Sequence, residues 1–259
     1  MVKYVPDRTG RFSQRPHYEP KELDRECENI IAGFLKERHG AAKYPVSTDD
    51  LTVLIERDSE SLDQFADLSS YGRNVEGLTH FQPGRKPRVR ISACLAGDEN
   101  RQNRLRATLA HEYGHVRFHA YLWDLEPPGP DLLKSNPHAS MQICYRDNIL
   151  DAAQTDWMEC GALLMPASKV RELAGAYFES HGLFGVVGQR DSHGLALIES
   201  ARTGFEVSAD AARIRLLKLG ILGTASVRSV DHRPHDRRAN IYVAALSGTF
   251  IIPSWQVND

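Results

Sequence analysis

From Pro20 onward apolar residues recur every three or four positions, with Leu23, Cys27, Ile30, Ile31, Phe34 and Leu35 on one face. That period predicts an amphipathic helix opened by Pro20 and ended by Gly40. A second, shorter helix is predicted over DDLTVLIER, with Ser47 as its N-cap and acids in its first turn. Between about 75 and 95 the period changes: VEGLTHFQ and RVRISACLA are β-rich runs around the turn signal PGRKP, so a hairpin or a pair of strands is expected. Asp98 then caps a helix expected from about 100 to 122 through RLRATLAHEYGHVRFHAYL. The four prolines within 125 to 140 predict a surface loop. Further helical patterns begin near 151 and stop at Pro166, then recur at 168 to 181, 191 to 203 and 208 to 219, before a short β-like ending, NIYVAALSGTFIIPSW.

A strand pair among the helices of the first half and a mainly helical second half read as an α+β protein of 259 residues, long enough for two compact units. The segmentation is a flexible N-terminal stretch at 1–19, a first compact unit at 20–166, a helical unit at 167–222 and an extension of unassigned role at 223–259. Apolar residues make up 41% and charged residues 25%, which suits a globular chain and excludes general disorder. Thirty-two Lys plus Arg against thirty-four Asp plus Glu give a formal charge of -2, so no global basic field attracts nucleic acid. No stretch approaches the roughly 18 apolar residues of a membrane span, and the N-terminus lacks a signal-peptide core; a cytoplasmic location is expected. Cys27, Cys94, Cys144 and Cys160 form no CxxC pair and are read as reduced, mostly buried thiols.

Candidate chemistry concentrates in His111-Glu112-Tyr113-Gly114-His115, which fits HExxH. On a helix, residues i and i+4 project from one face, so two imidazoles can share a metal while Glu112 stands beside it as general base. Zinc is the expected ion, with manganese as the alternative in the cell. The bland alternative is a chance match; the buried stripe of Leu105, Leu109 and Val116, with small Ala110 and Gly114 beside the ligands, favours the metal. His119 lies eight residues beyond His111, about 12 Å along an unbroken helix, so it is assigned packing or support of a ligand rather than the metal itself. Glu159 in DWMECGALLMP is the acidic candidate for a third ligand, with an ordinary helix-surface acid as the alternative. Arg213, Arg215 and Lys218 on the helix capped by Ser208 invite a DNA-binding reading, but Ile214, Leu217 and Ile221 suffice to pack that helix on the rest of the protein. His232 and His235, with Asp231 and Asp236, read as a surface turn.

HEYGHVRFH, followed by TDWME, GALLMP and FEVSADAARIRLLKLGIL, resembles the ImmA/IrrE family of metallo-endopeptidases over about residues 20 to 222. The resemblance implies a small gluzincin-like zinc peptidase unit with a short mixed sheet, followed by a helix-turn-helix-like segment. It implies His111, His115 and Glu159 as zinc ligands and Glu112 as catalytic base. Asp156, one turn before Glu159, is expected to orient a ligand imidazole. One departure is that only Cys160 to Ala162 separate Glu159 from LLMP, fewer residues than in relatives. The implied substrate is a helix-turn-helix transcriptional repressor, hydrolysed at a peptide bond without membrane or direct nucleic-acid contact. Rival readings are a non-catalytic zinc-containing module that binds a repressor, and a DNA-binding regulator. The strand in RVRISACLA is expected to offer its open edge to an extended substrate.

Overall fold

The structure is a computed structural model that describes residues 3–6, 12–126, 140–145 and 161–224. Two short strands, β1 (Lys3–Pro6) and β2 (Gln14–His17), pair antiparallel within the stretch read from sequence as flexible. α1 (Pro20–His39) follows, begun by a capping box between Glu19 and Glu22 and closed by Gly40 at φ 76°, a left-handed conformation that glycine adopts without strain. Its buried face is Leu23, Cys27, Ile31, Phe34 and Leu35, the face the period predicts, with Ile30 at its margin. α2 (Thr48–Asp58) starts from a second capping box, in which the Ser47 hydroxyl accepts from the Asp50 amide at 3.0 Å.

A four-stranded sheet comes next. β3 (Ser61–Ala66), β4 (Val75–His80), β5 (Arg88–Ser92) and β6 (Met141–Tyr145) lie in the order β3-β5-β4-β6, with β3 parallel to β5 and the other pairs antiparallel. The sheet is therefore mixed. The expected edge strand is an interior one: Arg90 faces Asp63 of β3 on one side and Leu78 of β4 on the other. β3 takes up the amides and carbonyls that an extended substrate would need, and among the described residues the edges are β3 and β6. The run also ends earlier than its composition implies, because Ala93–Ala96 turn into a short helix, α3.

The motif helix packs across this sheet. Asp98 accepts from the Asn100 amide at 3.0 Å and opens a 3-10 turn at Glu99–Arg101, which feeds α4 (Gln102–Gly114). A π-helical turn at His115–His119 and then α5 (Ala120–Leu125) continue the axis. The second half holds α6 (Ala167–His181), β7 (Val187–Gly188), α7 (Ser192–Phe205), α8 (Ala209–Lys218) and β8 (Leu222–Gly223), with β7 and β8 parallel. The expected helices at 168–181, 191–203 and 208–219 thus appear within two residues, and Ser208 caps α8 through the Ala211 amide at 3.1 Å.

One buried apolar cluster runs from Leu23 of α1 through Ile91, Leu109 and Leu164 to Leu216 and Leu222, so the helical second half shares its core with the sheet-bearing half. Arg215 reinforces the junction. It is buried, donating to the Met165 carbonyl at 2.9 Å and to Asp24 of α1 at 2.6 Å. Of the basic residues weighed for DNA, Arg215 is therefore occupied inside the protein, whereas Arg213 pairs on the surface with Asp210. Arg215→Ala is expected to cost about 3 kcal/mol, because Asp24 loses its buried partner, while Arg213→Ala stays within about 0.5 kcal/mol. Urea denaturation of the two variants measures both.

Candidate metal centre

The opposite faces of β4 serve different ends. Leu78 and Val75 pack with Ala66, Leu68, Met141 and Ile143 in a second apolar cluster away from α4. Gly77 and Thr79 point the other way, toward the motif helix, where Gly77 is paired with Ile91 of β5 and Cys144 of β6. Paired residues present their side chains to one face, so Cys144 joins Gly77 and Thr79 under α4.

Glu112 descends onto that face and is fully buried. The Thr79 hydroxyl donates to Glu112 Oε2 at 2.6 Å. Gly77 is glycine for a reason of space: a Cβ there would lie 2.9 Å from the Glu112 carboxyl carbon and 3.0 Å from its Cγ. The helix can sit this low only because that strand position carries no side chain. Its N-terminal end is held by a second buried carboxylate, Glu76, at the irregularity between Val75 and Gly77, which accepts from Arg101 and Arg104. Halfway along, Tyr113 donates to Asp58 at the end of α2 at 2.7 Å, and burial with this hydrogen bond holds the phenol well above its usual pKa. These contacts set the rotation of α4 about its axis.

That rotation turns His111 and His115 to one side. Their Nε2 atoms are 3.1 Å apart. The edge of a tetrahedron with Zn–N bonds of about 2.0–2.1 Å is about 3.3 Å, so the pair matches two ligands of one ion. Behind His115, its Nδ1 lies 2.8 Å from Nδ1 of His119. With His115 Nδ1–H donating to His119, the lone pair of His115 is left on Nε2, facing His111. The π-helical turn carries both His115 and His119 and accompanies this contact. His119 thus meets the His115 ring rather than His111, in keeping with its distance from His111 along the helix.

Cys144 joins His111 and Glu112 in a group that, among the described residues, does not include His115. One donor atom each of His111, Glu112 and Cys144 lie within 4.8 Å of one another, and all three residues are buried. A metal ion could be held here. Sequence reasoning assigned Cys144 only to buried thiols, since nothing in MQICY links it to HExxH before the register of β6 on β4 is known. Cys27 is also buried, whereas Cys94 is exposed. Glu159, Asp156, Cys160 and the His232/His235 turn lie outside the described residues.

Gly77→Ala is expected to destabilise the fold by about 1–3 kcal/mol and to push Glu112 off Thr79, since the added methyl overlaps the carboxyl group. Chemical denaturation and a crystal structure of the variant check both effects; unchanged stability would mean that helix and strand are not pressed together here. No family model and no curated protein matches the chain, which leaves the chemistry of these residues as the ground for a function.

Proposed function

We propose that the protein is a zinc-dependent endopeptidase whose active site is His111, His115 and Glu112. The observation that carries this reading is the pair of imidazole nitrogens 3.1 Å apart with a fully buried carboxylate between them in sequence, docked on Thr79. A structural zinc site is closed by four protein donors, whereas a hydrolytic one needs a base beside the ion. Glu112 fills that second need, and burying a carboxylate is costly unless it has work to do or partners to satisfy it.

His111 and His115 would hold the ion through Nε2, and Glu159 is the third donor that the family resemblance implies. Zinc bound there would polarise a water molecule and the scissile carbonyl. Glu112 would accept the proton of the attacking water and pass it to the departing amine. Thr79 holds the Glu112 carboxylate in place through Oε2, and His119 keeps the His115 ring oriented. The substrate class is a protein segment in extended form, with a helix-turn-helix repressor as the implied target. The strand available to receive it is β6, which lies beside the centre through Cys144 and pairs only with β4 among the described residues.

Glu112→Gln is expected to keep fold and metal while lowering peptide hydrolysis by about 10²–10⁴-fold, because an amide cannot carry the proton. His111→Ala and His115→Ala are expected to lose the metal, and His119→Ala to weaken it by about 10–100-fold. Metal analysis of the purified variants, with cleavage assays on a helix-turn-helix protein encoded beside the gene, reads these outcomes. Full metal content in both histidine-ligand variants would refute the site, and full turnover in Glu112→Gln would refute the base.

A further inference from the structure

We propose that Cys144 is a thiolate ligand of the metal held by His111 and His115. The inference rests on the metal centre proposed above and adds a donor of a different chemical kind from a different element. Three observations meet at this residue. Its backbone is fixed opposite Gly77 by the β4–β6 register, on the sheet face that α4 covers. Its side chain is buried, 2% exposed, so solvent does not compete for the sulfur. Its Sγ shares with His111 and Glu112 a volume in which the donor atoms are within 4.8 Å of one another.

A zinc–sulfur bond is about 2.3 Å and a zinc–imidazole bond about 2.0–2.1 Å, which puts sulfur and nitrogen about 3.6 Å apart around one tetrahedral ion. The closing motion this asks of Cys144 and His111 is at most about one ångström, and His115, which stands outside that group, must bring its Nε2 toward the sulfur as well. As the metal–sulfur bond forms, the thiol proton passes to bulk water, so no oxidant or co-reactant is involved. His111, His115 and Cys144 then give three protein donors, the number a catalytic zinc takes before its water. That count is reached without the Glu159 that the family resemblance implies.

The placement also joins the metal to a strand that is at the sheet edge among the described residues. β6 carries Cys144 on its inner face, while its outer edge is the one that an added strand would pair with. A segment docking along β6 would act on the strand that holds a ligand.

The test is the absorption spectrum of the full chain loaded with Co²⁺ in place of zinc. Thiolate ligation gives an intense near-ultraviolet sulfur-to-cobalt band that imidazole and carboxylate ligands do not. We expect the band in the wild type and in Cys94→Ser, and its loss in Cys144→Ser and Cys144→Ala while cobalt still binds. Zinc affinity in the Cys144 variants is expected to fall by more than the roughly 10–100-fold typical of losing an outer partner. Cobalt bound without the band, and lost in His111→Ala, would overturn the thiolate and leave the histidine centre standing. A band that survives in both Cys144 variants would overturn it too, by assigning the sulfur elsewhere. No cobalt binding by the wild type would overturn centre and thiolate together. X-ray absorption of the zinc-loaded wild type reads the same bond without any substitution: a sulfur scatterer at about 2.3 Å supports it, and nitrogen and oxygen scatterers alone contradict it.

Discussion

Everything in the middle of this protein follows from seating the Glu112 carboxylate inside it. A buried carboxylate needs hydrogen-bond donors and a gap to occupy, and the sheet supplies both on one strand, the donor at Thr79 and the gap at Gly77. That demand fixes the height of α4 above the sheet. It also fixes the helix rotation, because Glu112 pointing down turns His111 toward the β6 side, where Cys144 lies. Glu76 with Arg101 and Arg104 at one end, and Tyr113 with Asp58 farther along, hold the helix in that attitude.

The histidines illustrate how one deviation from a regular helix bears on chemistry. His115 must offer its lone pair through Nε2, and its tautomer is set by what its other nitrogen meets. That partner is His119, brought to 2.8 Å in the π-helical turn. The same side chain that is too far along the axis to meet His111 is well placed to hold the imidazole of His115.

Much of this was readable from residue order. The face of α1, the extent of α2, the Ser47 and Ser208 caps, the Gly40 stop and the histidine spacing are local properties, fixed by period and by capping chemistry within a few residues. The parts that were not readable depend on pairings between distant segments. β3, SLDQFA, has little apolar alternation because it lies at an edge and is largely exposed. Its parallel pairing with β5 moved the open edge away from RVRISACLA. Gly77 lies 35 positions before Glu112, and nothing in VEGLTHFQ marks the carboxylate that packs against it. Cys144, 33 positions beyond His111, joined the cluster only through the register of β6 on β4. The continuous core was equally hidden: the helical second half reads as a separate unit in sequence, yet its Arg215 reaches Asp24 of α1.

The claim on which the account turns is that one metal ion lies between the imidazoles of the motif helix. Anomalous diffraction from zinc-loaded crystals, collected on both sides of the zinc absorption edge, tests it most directly. The account predicts a single strong peak within about 2.0–2.1 Å of both His111 Nε2 and His115 Nε2, facing the Glu112 carboxylate. Zinc bound elsewhere on the protein, with the two imidazoles still in contact with each other and no peak between them, would contradict it.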